Sequence, residues 1–199
     1  APGWVQAVAV SATAAGRHTL LAGGPYGGVY QSADEGTTWT YSSDPGGVYR
    51  LAFHPAQPEV ALAATNNGLW RSTDSGLQWT RVTTTTAVHD VAFAGDGTAV
   101  AAFDGYAWRS TDDGATWQRL SSTAVNRLFT LGLSADGAGL FAAADARLYR
   151  FDTQAGEFVA VPMQPALSRI IRLAPSPTFA GDRTLLIGTY DGVWRSTDG

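Results

Sequence analysis

The residues best equipped to hold a ligand stand at the starts of a series of short apolar runs. One side-chain parity there carries Ala7, Arg50, Asp90, Thr130 and Arg172; the other carries Gln6, Tyr49, His89, Phe129 and Ile171. If the runs converge on a common axis, Arg50, Asp90 and Arg172 face one channel together. Guanidinium forks and a carboxylate in such a funnel could grip a peptide terminus, a sugar or an anion. Tyr49 and His89 beside them, and Tyr190 in a loop opening toward the same end, complete the candidate set. The plainer alternative is a hydrated mouth where Arg50 and Asp90 satisfy each other. No catalytic residue is assigned. His89-Asp90 has only polar-loop Ser and Thr nearby, with no strand-to-helix nucleophile elbow. His18, His54 and His89 fall in different segments without metal-ligand spacing. The absence of Cys removes thiolate metal sites, disulfides and thiol nucleophiles. No metal or cofactor is expected.

The charge balance narrows the partners. All 13 basic residues are Arg, against 17 acidic ones, and the net charge is −4. No basic cluster offers a counterion-releasing face, so nucleic acid is not an expected partner. No apolar run approaches the roughly 18 residues of a membrane-spanning helix. The chain starts at Ala1 without a signal peptide, which suggests a processed or excised chain of extracellular or cell-surface origin.

The elements that must position the candidates come from an internal repeat. Ser-x-Asp-x-Gly-x-x-Trp occurs at 32–39, 72–79 and 110–117; a fourth copy opens at Ser196-Thr197-Asp198-Gly199, and a degraded one spans Tyr149 to Phe158. Each repeat of about 40 residues orders its parts alike: an alternating apolar run, a second run, a Gly-led third, the box, then a fourth run beginning at the box Trp. Period-two runs punctuated by Gly, Asn, Asp and Pro read as strands in hairpins. Four short antiparallel strands per 40 residues predict a propeller blade. Val8, Leu51, Val91, Leu131 and Leu173 align at spacings of 43, 40, 40 and 42. Each is followed by a tiny residue (Ala9, Ala52, Ala92, Gly132, Ala174), as a crowded inner strand requires. The expectation is one all-β domain over 1–199, a single β-propeller or a propeller fragment, of about five four-stranded antiparallel blades at 4–42, 47–84, 87–122, 126–162 and 168–199. The last blade lacks its fourth strand, and the edge this leaves invites self-association.

The box resembles the Asp-box, or bacterial neuraminidase repeat, and the resemblance covers nearly the whole chain. It implies that Asp34, Asp74, Asp112 and Asp198 staple the turn between third and fourth strands, with Trp39, Trp79 and Trp117 folded back over it. The physics agrees: a carboxylate accepts turn N–H groups, Gly tolerates positive φ and Trp buries apolar area. Related propellers include sialidases, xyloglucan-cleaving hydrolases, sortilin-type receptors and photosystem II assembly factors. The sialidases' Arg-Ile-Pro motif is absent, and none of the three Glu is placed to partner an inner-face Tyr. The xyloglucan hydrolases use two Asp across a cleft between two propellers. The favoured reading is a non-catalytic binding or scaffold propeller that takes a protein or glycan ligand at its channel mouth. The alternatives are a glycoside hydrolase or part of one, and a photosystem-type assembly factor.

Overall fold

The structure, a computed structural model, describes residues 4–12, 16, 18–83, 87–163 and 166–199. Residue 84, the expected end of the second blade, falls outside that set. The alternating runs form nineteen strands in five antiparallel sheets, four of four strands and one of three. The first sheet holds β1 (Ala7–Val10), β2 (Leu20–Gly23), β3 (Val29–Ser32) and β4 (Thr40–Ser43). The second holds β5 (Val48–Phe53), β6 (Ala61–Thr65), β7 (Gly68–Ser72) and β8 (Thr80–Arg81). The third holds β9 (Val88–Phe93), β10 (Ala99–Phe103), β11 (Tyr106–Ser110) and β12 (Gln118–Arg119). The fourth holds β13 (Thr130–Leu133), β14 (Leu140–Ala144), β15 (Arg147–Asp152) and β16 (Glu157–Val161). The fifth holds β17 (Ile170–Pro175), β18 (Leu185–Thr189) and β19 (Gly192–Ser196).

Every sheet is a meander in chain order, as hairpin connections require. The architecture is that of a β-propeller with five blades, the last of three strands. Outer strands β8 and β12 are only two residues long, shorter than the apolar runs suggest. One helical turn, α1 (Phe179–Asp182), interrupts the β17–β18 connection. It has no helical periodicity to announce it, and it is fixed by Phe179, whose ring sits edge-on to Phe141 at 5.2 Å.

The alignment of inner strands matches the ladder. Val8, Leu51, Val91, Leu131 and Leu173 pair with Ala22, Ala63, Ala101, Ala142 and Ile187 in turn. The core is divided among four blade–blade seams. In each, one blade's second and third strands meet the next blade's first and second strands, as Leu21 and Val29 meet Leu51 and Ala63. The column of tiny residues reflects close approach at these seams. A Cβ added to Gly132 would stand 2.8 Å from the Cβ of Leu173. Successive inner strands pack side by side from β1 to β17, but among the described residues β17 has no comparable packing on β1. The five blades therefore form an arc whose two end faces are open.

Candidate functional site

Most of the candidate residues meet at the starts of the inner strands, and the local backbone explains how. In three inner strands the ladder slips by one residue: between Val48 and Arg50, at His89 between Val88 and Asp90, and between Ile170 and Arg172. Each slip is a β-bulge, and a bulge re-aims the side chain of its extra residue. The extra residues are Tyr49, His89 and Ile171. This brings Tyr49, His89 and Ile171 of one parity into a common recess with Thr130 and Arg172 of the other.

Asp90 lies at the bottom of the site with 3% of its side chain exposed, flanked by Arg50 Nε at 3.6 Å from Oδ1 and Arg172 Nη1 at 3.4 Å from Oδ2. Its Oδ2 also accepts Thr130 Oγ1–H at 2.8 Å and the Leu131 N–H at 3.0 Å, both from the fourth blade. Its Oδ1 accepts the Val91 N–H at 2.9 Å. A buried carboxylate needs this number of donors. Arg50 comes from the second blade and Arg172 from the fifth, so one side chain ties four blades together. The Arg50–Asp90 pairing of the plainer alternative is thus present, with Arg172 added to it.

Two guanidiniums share this one carboxylate, which leaves an excess positive charge. Burial pushes the Arg50 guanidinium below its ordinary value; Asp90 opposes this and Arg172 adds to it. Both Arg side chains remain about two-fifths exposed, so donors not spent on Asp90 face solvent. Burial also lowers the His89 pKa from its ordinary value, with Asp90 opposing, which favours the neutral imidazole.

Above Asp90 the rings of Tyr49, His89 and Phe129 form a ladder across three blades, with centroids 6.0 and 5.8 Å apart and planes within 29°. His89 stands between the other two rings, and Tyr49 and Phe129 each have one ring neighbour in the ladder. Arg169 caps the ladder, its guanidinium 5.1 Å from the Phe129 centroid and 5.9 Å from that of Tyr190. Tyr190 thereby joins the site's rim through Arg169, a residue the sequence did not single out. The recess enclosed by Gln6, Tyr49, His89, Phe129, Thr130, Ile171 and Arg172 has a volume of about 190 Å³. That is smaller than the roughly 300–1,000 Å³ of a pocket that engulfs a drug-sized molecule. It suits one group of a larger ligand.

The box residues lie elsewhere, at the outer rim. Asp34 Oδ1 accepts Ser32 Oγ–H and the Thr38 N–H, both at 2.8 Å, and its Oδ2 accepts Thr38 Oγ1–H at 2.6 Å. Asp112 repeats this with Ser110 and Thr116. Asp74 accepts from Ser72, Leu77 and Gln78, and Asp198 accepts from Ser196 at 2.5 Å. The hydroxyl and amide of Thr38, then Ser32, hold Asp34 at a pKa of about 2, and Thr116 and Ser110 do the same for Asp112. Gly36, Gly76 and Gly114 take φ values of 91°, 89° and 83°. Trp39, Trp79 and Trp117 each donate Nε1–H to the carbonyl of the box Gly at 3.0–3.1 Å. They are less covered than a folded-back Trp suggests, and Trp39 keeps 37% of its surface exposed. The turn sits at the sheet's solvent edge, with a neighbouring blade on one side only.

No family model matches the chain. A xyloglucanase of Hypocrea jecorina (strain QM6a) is 34% identical over 73 residues, which cover 31% of this chain and 9% of that protein. Among solved structures, an ancestral GH74 enzyme superposes with a TM-score of 0.78 at 20% identity, over 96% of this chain and 30% of its own. YCF48 bound to D1 peptide superposes with a TM-score of 0.70 at 15% identity, over 96% of this chain and 64% of its own. The fold is shared with both. The chain spans about a third of the GH74 enzyme and a tenth of the xyloglucanase.

Proposed function

We propose that this chain is the ligand-holding part of a glycan-processing propeller protein, with the channel mouth as the place where a sugar unit is held. The observation that carries the reading is the convergence of Tyr49, His89, Thr130 and Arg172 from four blades on one recess, with spare Arg50 and Arg172 donors beside Asp90. Guanidinium and hydroxyl donors beside aromatic edges suit a hydroxyl-rich ligand. The local relative named xyloglucanase and the GH74 likeness favour a glycan as the ligand class. The recess is not a cleavage site by itself. Glycoside hydrolysis calls for a carboxyl group held protonated near neutrality. Among the described residues no carboxyl group lines the recess, and Asp90 beside it is taken up by Arg50, Arg172, Thr130 and two backbone amides. The Asp-box resemblance fits the same reading, with Asp34, Asp74, Asp112 and Asp198 as turn staples.

The test is calorimetric titration of the 199-residue chain with xyloglucan oligosaccharides, followed by an assay for new reducing ends. Saturable binding without cleavage is expected. Cleavage by this chain, or no binding, overturns the reading. The excess positive charge beside Asp90 favours a second reading, recognition of an acidic peptide or chain terminus, in line with a neighbour described as bound to a peptide. Tighter binding to a carboxylate-ended peptide than to the oligosaccharide, weakened by salt, would favour it.

A further inference from the structure

The interior seams differ in what covers them. At the first, the second blade's box turn lies over Leu21: a Cβ added to Gly76 would stand 2.4 Å from that side chain, and Gln31 Nε2 donates to Ser75 O at 3.0 Å. At the second, the third blade's box turn lies over Leu62 in the same way. A Cβ on Gly114 would stand 2.7 Å away, and Arg71 Nε donates to Asp113 O at 2.8 Å. The Asp113 carboxylate is gripped as well, by Gln57 Nε2 at 3.1 Å and His54 Nε2 at 3.2 Å. The third seam lacks this cover. The fourth blade carries the degraded box, with Phe151 following the third-strand Arg where Ser72 and Ser110 do in the earlier blades. Its ladder runs on to Asp152 and Glu157, leaving only 153–156 for the turn, against 72–79 in the second blade. The fourth blade holds the third through Glu157 instead, which accepts the Ser122 and Thr123 N–H groups.

Where a box turn sits at the second seam, the third seam has a recess of about 240 Å³. Its apolar wall is Val100, which pairs with Arg109 as Leu62 pairs with Arg71, together with Leu120, Leu133, Leu140 and Phe151. Ala94 lines it three residues past Val91, the place His54 holds after Leu51. Arg109 is exposed and, among the described residues, has no hydrogen-bonded or ion-paired acceptor for its guanidinium. The one carboxylate on the lining, Asp96, spends Oδ1 on the Thr98 N–H at 2.9 Å. An adjoining recess of about 210 Å³ shares Arg109 and Leu120 and adds Arg119. Two guanidiniums and one carboxylate therefore line the pair of recesses. We propose that this seam binds a compact apolar carboxylate, its body against Val100, Leu140 and Phe151 and its carboxylate on Arg109, as the Asp113 carbonyl sits on Arg71. An anion is preferred because cations outnumber the acid there and a guanidinium–carboxylate bond is the stronger kind. The volume, below the roughly 300–1,000 Å³ of a drug-sized pocket, suits a single ring or branched chain. Such a group is offered by a free small acid or by the last residue of a polypeptide. Both flanking blades have all four strands. The recess lies by the hairpins that follow β9 and β13, at the opposite ends of those strands from the mouth, and does not depend on the channel-mouth reading.

The test is an amide NMR titration of the 199-residue chain with phenylacetate and, as the neutral control, phenylacetamide. Phenylacetate is expected to shift the signals of Thr98, Leu120 and Ala138 saturably while those of His89 and Thr130 stay in place. Phenylacetamide, and phenylacetate on Arg109→Gln, should bind about tenfold more weakly, the scale of one charge-assisted hydrogen bond. Ala138→Trp, at an exposed position on the lining, should abolish the shifts by filling the recess; both variants are first checked for a folded spectrum. A peptide ending in phenylalanine, with a free or amidated C-terminus, identifies the source. A free-ended peptide that binds tighter than phenylacetate points to a chain end, and one that binds more weakly points to a small acid. The absence of saturable shifts at the seam, equal affinity for acid and amide, or shifts unchanged in Arg109→Gln or Ala138→Trp overturns the proposal.

Discussion

The channel mouth and the outer rim both centre on aspartates, yet they use them differently. At the rim, Asp34, Asp74 and Asp112 accept hydrogen bonds from residues two to four positions away, inside their own turn. At the mouth, Asp90 is held by partners 40 and 82 residues distant, on separate blades. A rim carboxylate that recurs in each repeat closes a hairpin. The mouth carboxylate occurs once and closes the assembly of blades, leaving Arg50 and Arg172 with donors to spare. The comparison teaches that repetition marks structure here, while the unrepeated cluster is where we propose that a ligand is held.

The sharpest way to break this contrast is to remove Asp90. Asp90→Ala leaves two guanidiniums facing each other over a buried cavity and should cost roughly 3–5 kcal/mol, as loss of one partner of a buried ion pair does. Chemical denaturation measures it, and a loss below about 1 kcal/mol, the scale of a surface pair, would show that the blades do not depend on this clasp. At the rim, Trp79→Ala removes a half-buried indole that packs on the first seam. Its cost should be about 2–3 kcal/mol, under the 3–5 of a fully buried aromatic; an unchanged melting temperature would contradict this. Asp74→Asn weakens turn hydrogen bonds and should cost about 1 kcal/mol while leaving ligand affinity untouched.

The smallest effect is in the acid limb. The folded pKa of Asp34 and Asp112 is about 2, below the ordinary 3.8. A depressed folded value contributes stability that is present above the unfolded pKa and is lost as pH falls through the folded one. The double variant Asp34→Asn and Asp112→Asn should therefore flatten the fall in stability between about pH 4 and pH 2, as read by urea melts across that range. An unaltered slope would mean these turns are not what titrates.

The strands, the repeat and the inner-strand column were legible because each repeats at a fixed spacing, and a wrong register would have broken all five alignments at once. The bulges were not. A single extra residue at Tyr49, His89 or Ile171 leaves no mark in composition, and it turns a neighbour of Asp90 or an Arg into the common recess. Arg169 was missed because it precedes β17 in an irregular stretch, where no period singles it out. The carbonyls that Arg71 and Arg150 reach belong to the next blade and become visible only once the blades pack. The burial of the box Trp was overestimated for a related reason: the turn fixes where the indole goes, whereas the adjacent blade decides how much of it is covered.

The central claim is that ligand is held at the mouth and not at the rim. The most direct measurement is a calorimetric titration of one xyloglucan oligosaccharide against the wild-type chain, Arg172→Gln and Asp112→Asn. The account predicts that Arg172→Gln weakens binding about tenfold or more, equivalent to about 1.4 kcal/mol, while Asp112→Asn binds as the wild-type chain does. Equal affinity for Arg172→Gln and wild type, together with a loss in Asp112→Asn, would place the ligand at the rim and contradict it.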